Sequence, residues 1–319
     1  MKVQVVINPI SGVGSKRKIP QMIQEVFSKR KDVDLAIDFT EYPGHASELT
    51  ANAIDQGAEV VIAVGGDGTI NEVARAMVNT SATLGIIPKG SGNGLARSLH
   101  IPMDVKGALD VIEKGLIKAI DCCKANDQIF FCTCGVGFDA TVSQKFASSK
   151  RRGSLTYIMK TIEEYLRYKP ETYQLVIEDQ TIEEKAFLIA CANASQYGNN
   201  AYIAPHADMQ DGKLDITILS TFTPLDITPL ALQLFAKQID KNSKIKTLRA
   251  ANARIVREKP GVIHLDGEPF EMGEVLDIST MPGAINVFTA NYTPFAEEVQ
   301  NFFYEVSRFF DHQINHILR

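Results

Sequence analysis

Apolar runs of strand length alternate with helical stripes over the first third of the chain. Val3–Ile7 is apolar except for Gln4 and stops at Asn8-Pro9, after which Ile19, Met22, Ile23, Val26 and Phe27 recur on one helical face. Val33–Phe39 (strand), Ala46–Gln56 (helix), Val60–Val64 (strand), Thr69–Val78 (helix) and Leu84–Ile87 (strand) continue the alternation. Strand–helix–strand order with short connections predicts a parallel sheet with helices on both faces, a Rossmann-like α/β domain. Ligands of such sheets sit at the carboxyl ends of the strands. The glycine-rich segments of this half all fall there.

From about Asp127 the rhythm shortens. Ile129–Cys134, Tyr173–Glu178, Glu184–Ala192, Leu214–Leu219, Arg254–Glu258, Val262–Leu265, Val275–Ser279 and Ile285–Ala290 read as strands separated by turns, which predicts an antiparallel, β-sandwich-like sheet. Helical stripes interrupt it at Leu155–Leu166 and Leu225–Ile239, and Phe295–Leu318 is amphipathic. The expected organisation is therefore α/β plus β. Residues 1–125 form the first domain, residues 126–290 form the second, and the tail 291–319 packs back on the protein body.

Composition narrows the class. With 319 residues, 45% hydrophobic and 22% charged, the chain is long enough for two cored domains. A formal net charge of −5 speaks against a nucleic-acid partner. No apolar run reaches the roughly 18 residues of a membrane span, and Asn8-Pro9 cuts the N-terminal run too early for a signal peptide. Five cysteines form no C-x-x-C pair, which fits reduced thiols in a cytoplasmic protein.

The sharpest local feature is Gly65-Gly66-Asp67-Gly68-Thr69, directly after an apolar strand and before a helix. The glycines let backbone N–H groups approach a bound group, and the helix N-terminus adds partial positive charge, which together suit a phosphate. Asp67 places a carboxylate there, as expected if a divalent metal bridges it to phosphate. The alternative is a glycine-rich turn with Thr69 capping the helix. Two further strand-end turns, Pro88-Lys89-Gly90-Ser91-Gly92-Asn93-Gly94 and Asn8-Pro9-Ile10-Ser11-Gly12, are compatible with one nucleotide crevice. None has Walker A spacing, so a P-loop NTPase is excluded.

In order along the chain, Asn8-Pro9 with Ser11-Gly12, Thr40 before Gly44-His45-Ala46, Gly65–Thr69 with Asn71-Glu72, and Gly90-Ser91-Gly92-Asn93 resemble the catalytic domain shared by diacylglycerol and sphingosine kinases, in particular its bacterial lipid kinases. The resemblance continues through Asp121, Gly135-Val136-Gly137-Phe138-Asp139, Pro205 with Asp211-Gly212, and Asp266-Gly267-Glu268. It implies an NAD kinase/diacylglycerol kinase-like fold with its active site in the interdomain cleft. It also implies transfer of the γ-phosphate of ATP, with Mg²⁺, to a hydroxyl of a membrane lipid. By that resemblance Asn8, Thr40, Gly65, Gly66, Asp67, Gly68, Thr69, Gly90, Ser91 and Asn93 serve the nucleotide. Glu268 matches the proton acceptor, and Asp67 and Asp121 surround the catalytic metal. A second, structural Mg²⁺ is implied at the Asp211 carboxylate with main-chain oxygens of Asp208 and Lys213.

Each assignment has a plainer alternative: a type I′ hairpin turn at Asp266-Gly267, a strand-end acid at Asp121, and an ordinary Asp-Gly turn at Asp211-Gly212. Gly94 departs from the family pattern, because bacterial diacylglycerol kinases usually carry an acid there. Gly-Ser-Gly-Asn followed by a small residue looks more like the sphingosine kinases, so a sphingoid base stands beside diacylglycerol as candidate substrate. An NAD kinase acting on a soluble dinucleotide is the alternative activity. The cluster Lys145 with Lys150-Arg151-Arg152 suits transient contact with an anionic membrane surface, or is a solvated loop. The aromatic tail leaves a homodimer open.

Overall fold

The computed structural model describes residues 1–10, 18–147, 168–178 and 180–290. Strands β1 (Lys2–Ile7), β2 (Asp34–Phe39), β3 (Val60–Gly65) and β4 (Thr83–Pro88) lie parallel in the order β4-β3-β1-β2. Every residue of β3 and β4 is buried, as a parallel sheet between helices requires. The cover comes from α1 (Ile19–Phe27), α2 (His45–Asp55), α3 (Asp67–Met77) and α5 (Val105–Lys114), with a short α4 (Gly94–Ser98) after β4. In α1 the predicted face is buried through Ile19, Ile23 and Phe27, one turn apart. β1 hands the chain to β2 on one side, and β3 returns on the other. That reversal between β1 and β3 is where α/β sheets open a ligand crevice.

The rest is antiparallel: β5 (Leu116–Ala125), β6 (Gln128–Phe130), β7 (Thr133–Gly137), β8 (Glu171–Ile177), β9 (Gln180–Ala192), β10 (Leu214–Ser220), β11 (Ile245–Ala250), β12 (Asn252–Arg257), β13 (Gly261–Leu265), β14 (Glu268–Met272) and β15 (Val275–Thr289). Helices α6 (Phe138–Ala147) and α7 (Ile227–Phe235) interrupt it. β9 pairs with β8 along its first half and with β7 along its second, so one long strand serves both parts of the sandwich. The α/β-plus-β architecture is thus present.

Several details differ from the sequence pattern. Ile129–Cys134 is divided between β6 and β7, Val275–Ser279 and Ile285–Ala290 belong to the single strand β15, β5, β11 and β14 carry no predicted strand, and α5 and α6 no predicted helix. β15 joins the halves. It runs antiparallel to β5 and β12 and parallel to β4, at Asn286 opposite Thr83. The register shifts between Met281 and Ile285, a bulge opposite the middle of β5. The predicted helix at 155–166, the basic residues 150–152 and the tail 291–319 lie outside the described residues. Among the described residues no helix is long and apolar enough to cross a membrane.

Candidate active site

The two glycine loops touch. A Cβ on Gly66 would come within 3.1 Å of the Gly90 Cα, so both positions need glycine for the backbones to approach. Asn8, at the end of β1, donates from Nδ2 to Thr69 Oγ1 at 2.9 Å, and its own N–H bonds the Val64 carbonyl at 3.0 Å. Asn8 and Thr69 therefore meet across the crevice between β1 and β3. Thr40 follows β2, its N–H on the Ile7 carbonyl at 2.9 Å. Asn93, at a positive φ of 52°, closes its own loop: Oδ1 accepts from Gly90 N–H at 2.8 Å, and Nδ2 donates to the Gly90 carbonyl at 3.0 Å.

Asp67 is the first residue of α3, two residues ahead of the predicted helix start. Its carboxylate accepts from Asn93 N–H at 2.8 Å and Gly94 N–H at 2.7 Å. Asp67 thus fills the anion site at the start of α4. Gly66 caps α3 with no side chain, so the first-turn N–H groups of α3, which have no acceptor within the helix, stay available to a phosphate. Gly94 is buried, and a Cβ there would approach the Tyr197 carbonyl to 3.2 Å. A side chain at 94 would crowd that carbonyl, and Gly94 serves Asp67 through its N–H.

From the second half comes the turn Asp266-Gly267 between β13 and β14. Leu265 pairs with Glu268, and both turn residues have positive φ, 51° and 83°, as a type I′ hairpin requires. Asp266 is spent on structure: Oδ1 accepts from Cys132 and Thr133 N–H, Oδ2 from Phe131 N–H and Asn71 Nδ2. Glu268 then projects onto the first glycine loop, its Oε1 lying 3.3 Å from where a Gly68 Cβ would stand. Arg75 on α3 places Nη2 3.7 Å from Glu268 Oε2, and that nitrogen is buried without a hydrogen-bond partner of its own. Partial burial pushes the Glu268 carboxyl above the ordinary glutamate value, Arg75 pulls it back, and Asp266 and Glu72 add to the rise. Glu72 meanwhile accepts from Gly44 and Ala46 N–H, docking the start of α2 on α3.

Asp121 is placed elsewhere. It is only 2% exposed; Oδ2 accepts from Gly212 N–H at 2.7 Å and Oδ1 from Gly283 N–H at 2.8 Å. Gly283 sits in the bulge of β15, so Asp121 satisfies the bulge and ties the 208–213 loop to it. Asp121 is a buried acid rather than a solvated strand-end one, with one backbone donor on each oxygen. In the 208–213 loop the acidic side chains are held by protein donors. Asp211 is held by Lys213 N–H and by the Arg249 guanidinium, which also approaches Asp215 at 3.4 Å, and Asp208 Oδ1 accepts from Gln210 N–H. Arg249 already supplies the positive charge. Among the described residues no group of three or more acidic, His or Cys side chains is clustered as metal ligands. A Mg²⁺ carried by nucleotide phosphates needs only one or two carboxylates, the rest being phosphate oxygens and water; Asp67, beside the phosphate loop, fits that demand.

Arg75 and Asn193 carry weight here without a sequence signal of their own, and Asn71, part of the first-loop motif, does so by bonding Asp266. Asn193 Nδ2 donates to the carbonyls of both Asp121 and Phe131.

A glycine loop at an α/β switch point, met by a carboxylate from a β-sandwich, is an arrangement suited to phosphoryl transfer. Residues 2–125 match the model of the diacylglycerol kinase catalytic domain, and residues 132–289 that of the YegS C-terminal NAD kinase beta sandwich-like domain. The chain is 31% identical over 81% of its length to 87% of a Pectobacterium atrosepticum protein named "Probable lipid kinase YegS-like". It is 29% identical over 90% of its length to 94% of the diacylglycerol kinase of Mycobacterium tuberculosis. The fold is shared with the crystal structure of a diacylglycerol kinase from Bacillus anthracis, with a TM-score of 0.69 at 20% identity over 91% of this chain and 97% of that one. The chain belongs to the diacylglycerol kinase and YegS-like family of bacterial lipid kinases, and is a lipid kinase.

Proposed function

We propose that this lipid kinase transfers the γ-phosphoryl group of ATP to the hydroxyl of diacylglycerol, with Glu268 accepting the hydroxyl proton. One observation carries the reading: Glu268 Oε1 lies against Gly68, in the loop whose backbone suits a phosphate. In this scheme Asn8, Thr40, Gly65–Thr69, Gly90 and Ser91 bind and orient the nucleotide, and Asn93 holds the second loop. As the lipid oxygen bonds to the γ-phosphorus, its proton passes to Glu268 and the bond to the β-phosphate oxygen breaks, releasing ADP. Mg²⁺, held on the protein side by Asp67, would supply charge neutralisation at the phosphate oxygens. A general base near its working pH contributes about 10²–10⁴-fold, and the upward displacement of the Glu268 carboxyl favours that role.

Gly94 supports a second acceptor, a sphingoid base, since no acid extends from that loop. The deciding experiment offers ³²P-labelled ATP and Mg²⁺ with diacylglycerol, sphingosine and other lipids in mixed micelles. Labelled phosphatidic acid is expected. Label on sphingosine alone would replace the acceptor, and label on no lipid would overturn the reading.

A further inference from the structure

Behind the turn that carries Glu268 lies a buried polar cluster with no part in the scheme above. His264, on β13, is 2% exposed. Its Nε2 lies 3.0 Å from Oδ2 of Asp139, the second residue of α6. The same oxygen accepts from the Tyr197 hydroxyl at 3.0 Å, and Asp139 Oδ1 accepts from Ala140 N–H at 2.8 Å. On the other side of the ring, Nδ1 faces the N–H of Gly267 at 3.4 Å.

These partners fix the tautomer. An ionised Asp139 offers only acceptors, so Nε2 carries the proton; Gly267 offers a donor, so Nδ1 is bare. Gly135 on β7 makes the contact possible, because a Cβ there would overlap both Asp139 Oδ2 and His264 Nε2. Glycine inside a strand is destabilising relative to alanine, and the space it leaves is filled by this pair. The Gly135–Asp139 motif thereby acquires a physical reason.

We propose that His264 is a positioning residue for phosphoryl transfer. Oriented by Asp139 and Tyr197, its Nδ1 holds the Asp266–Gly267 peptide and so sets where the Glu268 carboxylate meets the phosphate loop. Asp266 pins the same turn from its other side through residues 131–133. A turn held at both ends leaves the following side chain little play. Misplacement of a reacting group by about 1 Å can cost about 100-fold in rate. The proposal rests on Glu268 being the proton acceptor.

Two substitutions separate the two ring nitrogens. His264→Gln can still donate to Asp139 but offers Gly267 no acceptor, whereas His264→Asn offers an acceptor near the Nδ1 position and gives up Asp139. Both are assayed with ATP, Mg²⁺ and the lipid that the parental enzyme turns over fastest, alongside ATP affinity and Tm. His264→Gln is expected to lower kcat about tenfold with ATP affinity unchanged, and His264→Asn to recover part of that loss. Parental kcat in folded His264→Gln would overturn the proposal, as would equal losses in both variants that simply follow Tm.

Glu268→Gln is measured in parallel. If it keeps the parental rate, the assignment of the base has failed. If it is inactive while His264→Gln is fully active, only the positioning role has failed. Should neither His264 variant fold, Tyr197→Phe, which removes one donor from Asp139, is expected to lower kcat about threefold at unchanged ATP affinity. An unchanged kcat there overturns the proposal.

Discussion

Glu268 is 46% exposed at its side chain, yet its carboxyl lies above the ordinary value, with burial as the leading cause and Arg75 opposing. As a base it works ionised, so turnover should rise with pH through a value above that of a free glutamate. Stability runs the other way: a carboxyl raised on folding binds more protons in the native state, and that contribution is lost as pH climbs through the raised value. Arg75→Met removes the opposing charge and should move the acid limb of kcat to higher pH, read from a pH–rate profile. A limb that stays in place would show that Arg75 does not act on the base. Gly68→Ala tests the contact itself. Alanine is better than glycine in a helix by about 1 kcal/mol, but its Cβ would crowd Glu268 Oε1 at 3.3 Å. The expected pair of results is unchanged or higher Tm with kcat lowered about tenfold, measured by calorimetry and the lipid assay.

At the scale of elements, the glycine loops and the β13–β14 turn were legible because their chemistry is local. Three glycines after a strand, and Asp-Gly between strand runs, impose backbone geometry wherever they fold. What each neighbouring acid does was not legible. Asp67 is not a free carboxylate: each of its oxygens already accepts one N–H, from Asn93 and Gly94 on another element, which leaves the remaining lone pairs for a metal. Asp121 lay where the pattern showed no strand, since β5 mixes Lys118, Asp121 and Lys124 with apolar residues. Its partner Gly283 is 162 residues away. Asp121→Asn would set an amide donor against one backbone N–H. The expected cost is about 1–3 kcal/mol of stability, seen as a lower denaturation midpoint, with kcat per folded molecule near parental. A folded variant without activity would return Asp121 to the catalytic centre.

For the whole molecule, β15 decides that the halves act together, because one strand belongs to both sheets and carries the bulge that Asp121 satisfies. The nearby 208–213 loop is neutralised by Arg249. Chelation by EDTA should therefore abolish turnover while leaving the Tm of the nucleotide-free protein unchanged. Arg249→Met should lower that Tm, since Asp211 and Asp215 lose their shared counter-charge. A fall in Tm on chelation alone would show that a cation, and not Arg249, holds the loop.

Sequence by itself determined the alternation that builds a parallel sheet, the glycine positions that let backbones approach, and the turn that brings Glu268 forward. These follow from periodicity and from φ preferences within a few residues. Only the tertiary structure decided which carboxylates are spent on backbone donors and which remain for chemistry. Asn71 and Asp266, 195 residues apart, bond across the joint. A side chain's role depends on the donors that surround it, and those come from strands that meet only when the sheet has closed.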